Sequence, residues 1–317
     1  MVVLRNADAA ILAEAGGRQV YKRTPTRYSD LQPRHGLAAP AGLGDGSRSS
    51  YLAAFRAGPG PGHHGARRAH RGAAWAPIGG VKWIANYDNQ FKGPIPVRQA
   101  LAESRNAVAV WIAREIGIDK VIRTARELGI RTPLQPYIST ALGASEVRLL
   151  ELAGAYRAMA CGDPGGASRH RSRAPTPPAR RALRGAPDRA RDQLHGPSSR
   201  ELSLIQEGCA AWSACQKAPP TPSTAPDFPI PVMGKTGTTS DFRDALFVGS
   251  TSRAAGHHGG GPHRLRRQPG AGSEGNRRRA PRCRSSARSM LRIYQARLAG
   301  PVPQFPREIE EGIDDTT

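Results

Sequence analysis

Lys235-Thr236-Gly237-Thr238-Thr239 is the part of this chain with the most chemistry in it. It follows a short apolar run, Ile230-Pro231-Val232-Met233, and precedes a strand-like run from Ala245 to Val248. Ser104-Arg105-Asn106 supplies an S-x-N further upstream. Serine with lysine is the pairing of nucleophilic acyl transfer. A hydroxyl is a poor nucleophile until a base takes its proton, and a lysine of lowered pKa can be that base. Such a pair in the form Ser-x-x-Lys is missing: none of the six lysines, at 22, 82, 92, 120, 217 and 235, has Ser three residues before it.

The elements that must position these residues are legible in places. Residues 1–32 read as a β-meander, with short strands at Val2 to Leu4, Ala10 to Ala13 and Gln19 to Tyr21. Pro96 suits a helix's first turn, and Val97, Ala100 and Leu101 form its apolar face. Ser104-Arg105-Asn106 interrupts, and the helical pattern resumes from Ala107 to Ile116. Asp119 is expected to cap a helix with Val121, Ile122, Ala125 and Leu128 on one stripe, ended by Gly129. Ser145 is expected to cap another, with Leu149, Leu152, Ala153 and Tyr156 at i, i+3, i+4 and i+7. Ser198-Ser199-Arg200-Glu201 is a capping box before Leu202 to Glu207. Residues 226–251 read as strand, turn, strand, and Met290 to Leu298 as a short helix. Glu103 and Glu115 read as solvated helix faces.

A net charge of +22 over 317 residues suggests a nucleic-acid binder until its distribution is examined. Residues 33–79 carry six Arg and one acid, 162–200 nine Arg and three acids, and 252–288 ten Arg and one acid. These blocks hold nearly all the excess charge, all nine histidines, no lysine and no valine. They read as low-complexity Arg/Gly/Pro/Ala/Ser sequence that cannot bury a core. They also lack interleaved aromatics and lysines, so no nucleic-acid partner is expected. His63-His64 and His257-His258 lie in Gly-rich sequence, and Cys209 and Cys215 fit no common zinc spacing. No metal is expected. The chain shows neither a signal peptide nor an 18-residue apolar run.

Three patches in order resemble the transpeptidase domain of class A penicillin-binding proteins, the bifunctional peptidoglycan synthases. The first is Trp83-Ile84-Ala85-Asn86-Tyr87-Asp88 with Phe91-Lys92-Gly93, Ala100-Leu101 and Ser104-Arg105-Asn106. The second is Ala141-Leu142-Gly143-Ala144-Ser145-Glu146-Val147 with Leu150-Glu151-Leu152-Ala153 and Ala155-Tyr156. The third runs from Met233 through the Lys-Thr-Gly to Gly249. Lys-Thr-Gly, S-x-N and S-x-x-K together are the known motif set of such enzymes.

The resemblance implies D,D-transpeptidation of peptidoglycan stem peptides ending in D-Ala-D-Ala, with β-lactams as acylating inhibitors and no cofactor. It implies that Ser104 joins the proton relay to the leaving amine and Asn106 holds the substrate backbone. Lys235 would supply positive charge and Thr236 and Thr238 would bind the terminal carboxylate, with Gly237 and Thr239 beside them. The implied setting is periplasmic, on an inner-membrane anchor outside this chain, with a glycosyltransferase half preceding Met1. A carboxypeptidase or β-lactamase-like hydrolase would differ only in whether water or an amine resolves the acyl-enzyme. From another class, the alternative is a catalytically dead remnant or a basic binding module.

Counting back from Tyr51-Leu52-Ala53-Ala54-Phe55, the downstream end of the nucleophile segment, puts the nucleophile at Gly44 and its lysine at Ser47. Codons for Pro-Gly-Ser-Ala-Thr-Lys-Pro-Phe-Val, read at one shifted offset, begin Gly-Leu-Gly-Asp, as at 42–45. At the other offset they end Ser-Arg-Ser-Ser, as at 47–50. We therefore read this stretch as translated out of frame.

The expected fold is α/β of the α+β type, an antiparallel sheet flanked by helices, with disordered Arg/Gly/Pro-rich segments. Residues 1–251 would form the transpeptidase-like domain, with 33–50, 58–79, 162–200 and 209–225 aberrant. Residues 252–288 would be a basic low-complexity segment, and 289–317 a helix with an acidic tail.

Overall fold

The computed structural model of the chain describes residues 2–6, 9–14, 38–40, 45–57, 73–75, 81–83, 86, 90, 95–162, 198–215, 232–238, 245–251, 257–263 and 290–297. Its main sheet has five strands: β1 (Val2–Arg5), β2 (Ile11–Glu14), β7 (Met233–Thr238), β8 (Ala245–Ser250) and β9 (His257–His263). Their order is β2-β1-β9-β8-β7, and every neighbouring pair is antiparallel. β3 (Ala38–Pro40) pairs with β6 (Glu146–Arg148), and β4 (Ala73–Trp75) with β5 (Val81–Trp83), as two small antiparallel ribbons. Helices α1 (Asp45–Arg56), α2 (Val97–Ala102), α3 (Asn106–Ile116), α4 (Ile118–Glu127), α5 (Leu149–Cys161) and α6 (Ser199–Cys215) complete the body, with a short helix at 290–295. This is the mixed helix and antiparallel-sheet class expected from the sequence.

α5 joins the two layers. It touches β1, β8 and β9 on the sheet side and α6 on the other. It has hardly any solvent face: every residue from Glu151 to Ala160 is buried, as a helix held between layers requires. Its Arg157, 2 % exposed, donates through Nε to the Asn6 carbonyl at 2.8 Å, tying the helix to the end of β1. α1 is the hub of the helical lobe, packed against α3, α4, α6 and the 3₁₀ turn Ile138–Leu142. Its last residue, Arg56, donates through Nε to Glu201 on α6 at 3.0 Å and also pairs with Glu127 on α4. Glu201 belongs to the expected capping box. Its amide donates to Ser198 Oγ at 3.3 Å, and its carboxylate accepts from the Ser198 amide at 3.1 Å.

Several boundaries differ from the sequence reading. Gly117 (φ 92°), not Asp119, precedes α4, and Asp119 sits in its first turn. A residue at positive φ is needed to turn directly from α3 into α4, which suits Gly. Ser145 does not cap α5, because residues 146–148 first pair with β3 and the helix begins at Leu149. Ser145 Oγ instead accepts from the Gln135 amide at 3.2 Å and shares a 2.8 Å hydrogen bond with Thr140 Oγ1. α6 runs on through Cys209 to Cys215, well beyond Glu207. Gln19 to Tyr21 lie outside the described residues. Within the Arg-rich blocks the structure contains β3, α1, β4 and β9. Composition gave no sign of the strands, because main-chain pairing between strands needs no apolar side chain.

Candidate active site

Ser104 lies at a helix end built in an unusual way. α2 stops at Ala102, Ser104 takes φ 57°, and α3 starts two residues later at Asn106. The Ser104 amide donates to Leu101 O at 3.1 Å and the Arg105 amide to Ala100 O at 2.9 Å. These are the two crossed bonds of a Schellman motif, with serine in the left-handed position that glycine usually fills. For an L-residue that conformation costs about 1–2 kcal/mol.

The surroundings hold the turn in place. Arg105, 8 % exposed, donates through Nε to Glu103 Oε2 at 2.7 Å and through Nη1 to the Gln90 carbonyl at 3.5 Å. Glu103 also accepts from Gln99 Nε2 at 2.8 Å. It is therefore not the solvated helix-face residue that its position suggested; Glu115 is exposed, as expected. Asn86, 5 % exposed, accepts from the Ala107 amide at 3.1 Å through Oδ1. Its Nδ2 donates to Gln90 O at 2.7 Å. One amide side chain thus satisfies an open donor of the first turn of α3 and fixes the loop before it. From α1, the Tyr51 hydroxyl donates to Arg105 O at 3.4 Å. Burial pushes the Tyr51 hydroxyl pKa well above its ordinary value.

Lys235 is on β7, only 8 % exposed, opposite the buried Val248 of β8. Thr236, Gly237 and Thr238 continue β7 opposite Phe247, Leu246 and Ala245. Thr239 and Gly44 lie outside the described residues, and Ser47 falls in the first turn of α1. The S-x-N residues are thus in the helical lobe and the Lys-Thr-Gly residues in the sheet. α6 connects the two by packing against both α2 and β7. The contact with α2 is close: a Cβ on Gly208 would meet Leu101 Cδ2 at 2.5 Å and Cγ at 2.8 Å. An open groove elsewhere, lined by Asp119, Ile122, Arg123, Arg126, Leu134 and Pro136, contains none of these residues. His63-His64 lie outside the described residues, and His257-His258 open β9.

The roles of Asn86, Glu103 and Tyr51 were not foreseen. Asn86 stands in a patch the sequence singles out, but a contact 21 residues away in sequence has no local signal.

No protein-family model matches the chain. Its curated relatives are class A penicillin-binding proteins. Penicillin-binding protein 1B of Vibrio cholerae is 29 % identical over 194 residues, which cover 59 % of this chain and 22 % of the relative. Penicillin-binding protein 1A of Aquifex aeolicus is 31 % identical over 187 residues, 55 % of this chain and 23 % of the relative. The chain thus spans less than a quarter of these relatives' length. Among solved structures, PonA1 of Mycobacterium tuberculosis in complex with penicillin V superposes with a TM-score of 0.62 at 16 % identity, covering 96 % of this chain and 79 % of that one. The penicillin G acyl-enzyme of penicillin-binding protein A from M. tuberculosis gives 0.58 at 16 %, covering 92 % and 74 %. The fold is that of penicillin-binding transpeptidases.

Proposed function

We propose, from its kinship with the class A penicillin-binding proteins, that this chain has the scaffold of a peptidoglycan D,D-transpeptidase site without the nucleophile. In the complete reaction a serine Oγ attacks the carbonyl joining two D-alanines, and a lysine amine takes the hydroxyl proton. Breakdown of the tetrahedral intermediate expels the terminal D-alanine as an amine, which must gain a proton. An acyl-enzyme remains, to be resolved by an amine from another stem peptide.

In this reading Ser104 lies on the proton route to the leaving amine, and Asn106 hydrogen-bonds the donor peptide's backbone. Lys235 places positive charge at the cleft, and Thr236 and Thr238 bind the terminal carboxylate, with Thr239 beside them. Gly237 lets the substrate lie against β7. The amide beside Thr238 is one oxyanion donor, a contribution of about 3–4 kcal/mol in comparable sites. β-Lactams are the corresponding acylating ligands, and a periplasmic, membrane-anchored setting follows from the same kinship.

The observation that supports this most is the Ser104 turn. A serine held at positive φ by a part-buried ion pair, a buried amide and a tyrosine from α1 has a conformational cost that glycine in the same cap would avoid, and such strain gathers at functional sites. The missing nucleophile, expected at Gly44 with its lysine at Ser47, favours a second reading: a non-catalytic remnant or basic binding module.

Fluorescent penicillin distinguishes the two. A Gly44→Ser/Ser47→Lys variant should form a covalent adduct on residue 44 if the rest of the site is competent. A folded variant that stays unlabelled favours the non-catalytic reading.

A further inference from the structure

Two described elements carry residues that do not suit their places, and a one-nucleotide change of reading frame repairs both. We infer that residues 47–50 and 256–264 are out-of-frame translations, and that the gene's two other frames encode a core-forming α1 in one case and an apolar β9 in the other. At α1 the inference rests on the transpeptidase reading for its lysine; at β9 it rests on the sheet alone.

α1 changes character between Ser50 and Tyr51. Residues 51–55 are buried and apolar. Ser49 and Ser50 are also 0 % exposed, and the Ser49 hydroxyl has no hydrogen-bond partner among the described residues. A buried hydroxyl without a partner is a net loss that an apolar side chain avoids. Read one base back, each serine codon of the TCN type becomes NTC. NTC encodes Phe, Leu, Ile or Val whatever N is, so positions 49 and 50 both become apolar. If Ser47 uses an AGY codon, the same step gives NAG there, which is Lys when N is A.

β9 is the middle strand of the main sheet. Gly259 pairs with Val3 on one side and Gly249 on the other, and Gly260 pairs with Val2 and Val248. Val2, Val3 and Val248 are at most 1 % exposed. The strand between them reads His-His-Gly-Gly-Gly-Pro-His. Glycine and proline are the residues a central strand takes least readily, and three glycines in succession give the flanking valines no cross-strand partner. Read one base forward, the codon pair His257-His258 can give only Ile or Thr, and His258-Gly259 only Met or Thr. His263-Arg264 again gives Ile or Thr. The glycine codons between become GNG or GNC, which include Val and Ala. The shifted strand is thus β-branched or apolar at the ends and open to valine or alanine across the three glycine codons, as the neighbours demand.

The gene's nucleotide sequence tests this directly. TCN codons at 49 and 50, an AGY codon at 47 preceded by A, and codons giving valine or alanine in the shifted frame across 259–261 support the inference. AGY codons at 49 or 50, or a stop codon in either shifted frame, overturn it. A chain carrying both shifted segments should then melt at least about 5 °C higher than the present one; an equal or lower midpoint counts against the inference. Penicillin labelling of that chain with Gly44→Ser added reports on function separately. Such a chain, stabilised but unlabelled, leaves the inference standing and counts against the transpeptidase reading.

Discussion

The Tyr51 hydroxyl donates to the main-chain carbonyl of Arg105 at 3.4 Å, joining the second turn of α1 to the middle residue of the S-x-N turn. The helix that holds the position expected for the lysine, Ser47, and the turn expected to carry the proton relay are thereby held in one packed unit, although 54 residues separate the two partners in sequence.

Tyr51 should make stability sensitive to alkaline pH. Its folded-state pKa is raised above its unfolded value of about 10. The folded chain therefore keeps a proton that the unfolded chain releases, and stability present below about pH 10 is lost as pH rises beyond it. Tyr51→Phe should reduce this alkaline loss and cost about 0.5–1.5 kcal/mol at neutral pH, the net value of one hydrogen bond. Urea titrations at pH 7 and 10.5 check it; an unchanged alkaline slope argues against the assignment.

Ser104→Gly should stabilise the chain by about 1 kcal/mol, because glycine adopts positive φ without the Cβ penalty. Ser104→Ala keeps that penalty and should give no gain. Equilibrium denaturation of both variants separates backbone strain from loss of the hydroxyl.

Gly208→Ala should destabilise by about 1–3 kcal/mol, the usual cost of overpacking. The added methyl collides with Leu101 on α2. The damage should be confined to the α2–α6 contact, so a double variant with Leu101→Ala should regain part of the loss. Absence of any rescue would show that the two helices are not in close contact.

The legible parts of this fold were those whose signal is local. β1, the breaks at Ser104 and Gly129, the Ser198–Glu201 capping box and the strand pair around Lys235 all follow from neighbouring residues. Ser145 and Asp119 were read as helix caps because each stands just before an apolar stripe, but a strand pairing and a glycine turn take those places. β9 was not legible, since nothing in His-His-Gly-Gly-Gly-Pro-His favours a strand and only the open edges of β1 and β8 call for one. In the candidate site, residue types were visible at Ser104, Asn106 and Lys235. The part-buried pair Glu103–Arg105 and the Asn86 contact depend on a positive φ that no periodicity encodes.

Ser104 and Lys235 should face one cleft. An experimental structure of the chain with a bound β-lactam should place their side chains within about 10 Å, close enough for one hydrogen-bond network with the ligand. A larger separation would assign them to different sites.

Intact-mass analysis of the present chain after incubation with a β-lactam tests the central claim most directly. With Gly44 where the nucleophile belongs, the account predicts no covalent adduct. A stoichiometric acyl adduct mapped to any serine, with Ser47 the first to examine, would contradict it.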